Sequence, residues 1–108
     1  MKQVSPYLCS LEDSHSHTKF GFYCLGCKSL HLLRIRPAPS PSWEFNGNLD
    51  RPTFRPSVLI NLPGDEDFPT EVCHSFVTDG SIQYLSDSTH EFSGQTILLP
   101  ELPDYYKS

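Results

Sequence analysis

Cys24-Leu-Gly-Cys27, with His31 four residues on, offers two thiolates at zinc-knuckle spacing and an imidazole within reach. Zinc takes four such ligands in a tetrahedral array, and a structural site leaves none of its positions open to water. Gly26 inside the loop lets backbone amides turn toward the sulfurs. Cys73, from a distant strand, is the expected fourth ligand, and it would staple the N-terminal half of the chain to the hairpin that carries it. His90, Cys9 and His74 are the alternatives to His31. A redox pair or unliganded buried thiols are the plainer readings of the same cysteines, but no βαβ pattern surrounds the motif. Cys9 is expected to be a bystander, and His15 and His17 to be solvated.

With zinc given its ligands, His74, Asp87, His90 and several hydroxyls remain for chemistry. An imidazole oriented by a carboxylate is the base half of a nucleophilic triad. Ser57, just after Pro56 where the chain turns into a strand, is the expected nucleophile. Thr53, Ser75 and Ser88 are its rivals, and His90 is an alternative base, with His74 then orienting it. A backbone amide near Pro56–Val58, or the Asn46 side chain, would stabilise an oxyanion. A plain hydrogen-bonded His–Asp pair with a turn-capping serine fits the same residues. So does a second metal site of His74, Asp87 and His90 for metal-assisted hydrolysis.

These side chains depend on the elements that carry them. Glu71–Thr78 and Ser81–Ser86 are β-rich runs flanking Asp79-Gly80, a two-residue hairpin turn whose central positions accept positive φ. That register pairs Thr78 with Ser81, Phe76 with Gln83 and His74 with Leu85, and makes Asp87 a diagonal neighbour of His74. Cys73 then shares the opposite face with Ser75, Val77, Ile82 and Tyr84, so Cys73 and His74 are expected to serve different sites. Lys19–Tyr23 and Leu30–Arg36 suit strands into and out of the cysteine turn. Ser57–Leu62 and Gly94–Leu99 suit further strands. Pro37–Pro41 is expected to be a stiff extended linker. Trp43–Asp50 is expected to be a core tryptophan beside an Asn46-Gly47 turn, with a recognition surface as the alternative. Residues 63–67 form an acidic loop. Residues 1–18 are polar and are expected to be a partly ordered lead-in to one domain spanning 19–108.

Composition narrows the function classes. At 108 residues the chain is one domain's worth, and a core of that size gains from a structural metal. Ten prolines against six glycines favour short extended segments over long helices. The net charge of −5 with scattered Lys and Arg lacks the basic face that nucleic acid requires, so protein or peptide partners are expected. No apolar run is long enough for a membrane span, and no secretory pattern opens the chain, so a cytoplasmic address is expected. The expected fold is mostly β, a small single domain of short antiparallel strands with a zinc knuckle.

Three motifs combined give a resemblance: Cys24-x2-Cys27-x3-His31; Trp43-x-Phe-Asn-Gly-x-x-Asp-Arg-Pro-Thr-Phe-x-Pro-Ser57; and Cys73-His-Ser-Phe-Val-x-Asp-Gly, continuing to Asp87, His90 and Gly94. Over about residues 20–100 this resembles the BubE-like family, small proteins of bacteria and their phages. The resemblance implies association with ubiquitin-like conjugation operons in antiphage defence, and a peptidase that processes a ubiquitin-like protein or removes it from targets. The leading expectation is a zinc-stabilised serine-type hydrolase cleaving at the C-terminal tail of a ubiquitin-like partner, with Ser57, His74 (or His90) and Asp87 as its machinery. The alternatives are a non-catalytic zinc-stabilised binding module, such as a phage anti-defence protein, and a metallohydrolase.

Overall fold

The computed structural model describes residues 1–106. The expected domain ends at 108, and its last two residues lie outside the described ones. Among the described residues, nine strands form two antiparallel sheets. The first is a meander of β1 (Lys2–Gln3), β2 (Leu8–Glu12), β3 (Thr18–Cys24) and β4 (Ser29–Arg34). The second is a meander of β5 (Glu44–Phe45), β6 (Phe54–Leu62), β7 (Glu71–Thr78), β8 (Ser81–Tyr84) and β9 (Thr96–Leu98). A short 3₁₀ turn at Asp104–Tyr106 is the helical element among the described residues. None of these elements is a helix long and apolar enough to cross a membrane.

Alternation explains which face is buried. Along β7, Cys73, Ser75 and Val77 point inward and His74 and Phe76 lie on the other face. Leu8, Phe22, Cys24 and Leu33 of the first sheet join Phe54, Val58, Cys73, Val77, Ile82 and Tyr84 of the second in one core. The radius of gyration of 13.8 Å is close to the ~13 Å of a single domain this size.

The β7–β8 hairpin has the expected register, with Thr78 opposite Ser81 and Phe76 opposite Gln83. Asp79 (φ 49°) and Gly80 (φ 80°) both adopt the left-handed conformation its two-residue turn demands. His74 and Leu85 are joined by a backbone bond just past the strand end.

Two stretches differ from expectation. Residues 1–18 supply two strands of the first sheet rather than a partly ordered lead-in, and Leu8 and Cys9 are fully buried. The stretch is polar on average, but Tyr7-Leu8-Cys9 concentrates its apolar atoms, and Ser5 Oγ accepts the Tyr7 and Leu8 N–H groups at the entry to β2. Pro37–Pro41 folds back instead of extending. Arg36 N–H donates to Trp43 O and Trp43 N–H to Arg34 O, and Ala38 is buried beneath this turn.

Candidate active site and metal centre

Ser57 owes its position to a break in the β6–β7 ladder. Pairing stops at Phe54–Val77 and resumes at Val58–Ser75, so Arg55, Pro56 and Ser57 lie opposite Phe76 alone. Such bulges re-aim side chains, and they tolerate a proline that has no N–H for the ladder. Arg55 clamps this one. Its Nη1 donates to Phe54 O and Val77 O at 2.8 and 2.9 Å, its Nη2 to Thr78 Oγ1 at 2.7 Å, and the guanidinium lies 5.3 Å from the Phe76 ring centre. Trp43 Nε1 donates to the Ser57 carbonyl from the other side, at 3.3 Å.

The bulge turns the Ser57 hydroxyl onto His74. Oγ is 3.0 Å from His74 Nε2, while His74 Nδ1 is 3.0 Å from Asp87 Oδ2 and 3.2 Å from Oδ1. An ionised carboxylate only accepts, so Nδ1 carries the proton and donates to Asp87. In the neutral ring that leaves Nε2 to accept the Ser57 O–H. The His74 side chain is 24% exposed and that of Asp87 57%, so water reaches the carboxylate more than the imidazole. Ser88 fixes the backbone beneath. Its Oγ accepts the His74 N–H at 3.0 Å and donates to His74 O at 3.1 Å, acting as a strand partner where β8 has ended. Thr89 does the same for Val72.

The opposite face of β7 meets a second cluster. Cys24, Cys27, His31 and Cys73 each bring a ligand atom, all within 4.8 Å of one another, close enough to hold a metal ion. Cys24 and Cys73 sulfurs are 3.9 Å apart, against the about 3.8 Å that two sulfurs at ~2.3 Å from a tetrahedral zinc would have. His31 Nε2 is buried with no hydrogen-bond partner, an orphan that a metal would satisfy. Cys24 is drawn down to about 3, first by the Cys73 thiol, then by His31, the Tyr84 hydroxyl and the Cys27 N–H. Burial, and then the Cys24 charge, push Cys27 up to about 11; Cys73 is pushed up by its bond to Cys24. Three thiols this close support one negative charge among themselves, and a divalent cation removes that conflict. The residues fit a structural metal.

His90 belongs to this cluster and not to Ser57. Its Nε2 is 3.4 Å from Cys73 Sγ and its ring stands edge-on to Tyr84 at 4.5 Å. A Cβ at Gly26 would collide with the same ring, which is why the knuckle carries glycine there. His74, Asp87 and His90 therefore do not converge into one metal site. The remaining candidate hydroxyls and amide are placed differently, and the Ser75 Oγ has no hydrogen-bond partner. Ser75 is fully buried on the core face, Thr53 Oγ1 accepts the Asp79 N–H, and the Asn46 amide donates to Arg51 O within its own loop. Trp43 and Phe45 pack against the core. Cys9 is buried away from the metal-ligand set, its thiol 3.7 Å from Gly21 O. Sequence reasoning did not assign Tyr84, whose hydroxyl is 3.1 Å from Cys24 Sγ, although the hairpin register already put it on the Cys73 face. The Arg55 clamp and the Ser88 bonds to His74 carry no periodic signal that could have revealed them.

A family model described as bacterial ubiquitination-like system serine protease (BubE) matches residues 2–85. The match takes in the N-terminal strands, which the motif resemblance left out, and ends two residues before Asp87. No curated protein and no solved structure matches the chain.

Proposed function

The chain belongs to the BubE family, and on that premise we propose that it is a serine peptidase acting at the C-terminal tail of a bacterial ubiquitin-like protein. The observation that carries this reading is the hydrogen-bonded chain Ser57–His74–Asp87 on the outer face of the second sheet. Ser57 Oγ attacks the scissile carbonyl as its proton passes to His74 Nε2, and Asp87 stabilises the resulting imidazolium. Collapse of the tetrahedral intermediate breaks the C–N bond, and His74 returns the proton to the departing amine. Water, deprotonated by the same nitrogen, then releases the acyl group from Ser57. Asn46 is engaged within its own loop and Pro56 has no N–H, so the Ser57 N–H is the bulge's natural oxyanion donor.

Zinc is the ion we assign to Cys24, Cys27, His31 and Cys73, in a structural role. Three of these ligands come from the β3–β4 hairpin and the fourth from β7, so the ion ties one sheet to the other. His90 and Tyr84 support the sulfurs from outside the ligand set.

A fluorophosphonate probe tests the enzyme directly. Stoichiometric labelling at Ser57, lost in Ser57→Ala with zinc content and circular dichroism unchanged, is the expected result. An unlabelled protein would favour the non-catalytic binding module.

A further inference from the structure

We propose that the substrate binds as an added β-strand along the open edge of β6, an extended peptide with apolar side chains at alternate positions; this rests on the serine-peptidase reading. β5 pairs with β6 only at Phe54 and Arg55, and among the described residues no strand flanks β6 beyond that point on this side. Antiparallel strands direct the N–H and C=O of successive residues to opposite sides. On β7, His74 bonds to Leu85 and Ser88, and Val72 to Thr89, so both face away from β6. The residues facing β6 are therefore Ser75, Cys73 and Glu71, opposite Val58, Ile60 and Leu62. That leaves the N–H and C=O of Leu59 and Asn61 directed to the open edge. The Ser57 carbonyl, held by Trp43 Nε1, points the same way.

The protein's own chain shows how a strand fits there. Trp43 bonds to Arg34 O at the end of β4 and to the Arg36 N–H just past it, while the next two residues pair with β6. Residues 43–45 thus fill the seam between the two sheets at one end. Beyond Trp43 the seam is open, and a cavity of about 510 Å³ lies between Leu30 and Leu32 on one wall and Ile60 and Leu62 on the other, lined also by Cys27, His31 and Cys73 of the metal cluster. An exposed apolar edge is a liability that proteins normally blunt, yet here Leu32, Leu59 and Leu62 are 45, 53 and 55% exposed. A peptide in the seam bonds through its backbone to Leu59 and Asn61 and sends alternate side chains into the cavity. At ~3.3 Å per residue these anchors lie about 7 and about 13 Å from Ser57, so they meet peptide residues two and four positions from the scissile bond.

The test uses the full chain and short acetylated peptides with leucine at alternate positions and a C-terminal aminocoumarin. Methylating each peptide nitrogen in turn is expected to lower kcat/KM about tenfold or more at alternate positions and to leave the intervening ones within about twofold. In Ser57→Ala, the best-cleaved peptide is expected to slow amide exchange at Leu59 and Asn61 about tenfold, with Ile60 and Leu62 unchanged. A flat methylation scan, or no cleavage of any peptide, overturns the docking edge if the fluorophosphonate still labels Ser57. Absence of labelling instead overturns the serine reading on which the edge rests.

Discussion

Each contact of His74 implies a different kind of loss when it is removed. Ser57→Ala removes the hydroxyl we propose as the nucleophile, and peptide cleavage should fall to background in an otherwise native protein. Asp87→Asn should cost less than the about 10⁴-fold known for a buried triad carboxylate, because water reaches more than half of the Asp87 side chain and screens its field. About 10- to 100-fold in kcat, with KM little changed, is the expected outcome of steady-state kinetics on that variant. Ser88→Ala removes a hydroxyl that serves both backbone groups of His74 in a buried position. It should cost about 1–3 kcal/mol of stability, visible as a Tm lower by several degrees, and reduce kcat as His74 loosens. A Tm equal to wild type would show that water replaces the hydroxyl. The closeness of His74 and Asp87 is legible in the sequence, because a two-residue hairpin loop dictates which side chains are neighbours. Ser57 was legible only as a serine after proline, and its aim depends on a bulge whose clamp, Arg55, has no spacing rule.

At the scale of elements, turns with their own chemistry were the readable parts. Gly80 sits at φ 80° with the Arg51 Cα 3.3 Å from where a Cβ would be, so Gly80→Ala meets both backbone strain and a tight neighbour. A loss of about 1 kcal/mol, or ~4–8 °C in Tm, is expected by thermal melting, with the hairpin register and the Ser57 labelling retained. The segment 37–41 was misread because a run of prolines looks extended by composition, whereas its fold-back comes from two backbone bonds to Trp43. The β2–β3 turn lies in a polar stretch whose composition reads as a partly ordered lead-in. Asp13 organises it by accepting the His17 and His15 N–H groups, and these bonds, that of His17 first, lower its carboxyl to about 2. A lowered carboxyl stabilises the fold fully above its unfolded value near 4, and that contribution is lost as the pH falls from about 4 to about 2. NMR titration should therefore find the Asp13 carboxyl ionised at pH 3, and Asp13→Asn should flatten the acid limb of the stability curve. A midpoint near 4 would remove Asp13 from that role.

For the whole molecule, the location of the metal cluster decides what metal removal does. Ser57, His74 and Asp87 all belong to the second sheet and the loop after β8, whereas Cys24, Cys27 and His31 extend from the first sheet to meet Cys73. An ion held by these four residues would tie the first sheet to the second, on the opposite face of β7 from the Ser57–His74–Asp87 chain. A chain this short has a total stability of about 5–15 kcal/mol, and binding of a structural zinc contributes on that order. One zinc per chain should be found by elemental analysis, and Cys24→Ser or Cys73→Ser should lose it together with about 10 °C or more of Tm. Chelation should abolish peptide cleavage in step with the loss of the folded-state circular dichroism signal, and zinc should restore both. A metallohydrolase would behave differently, losing activity at chelator concentrations that leave the fold intact. The sequence showed which residues could hold the ion, because cysteine spacing is local. The separation of the two sites on opposite faces of β7 followed from one hairpin register. That the staple spans two sheets was not legible, since no local pattern says which sheet a strand will join.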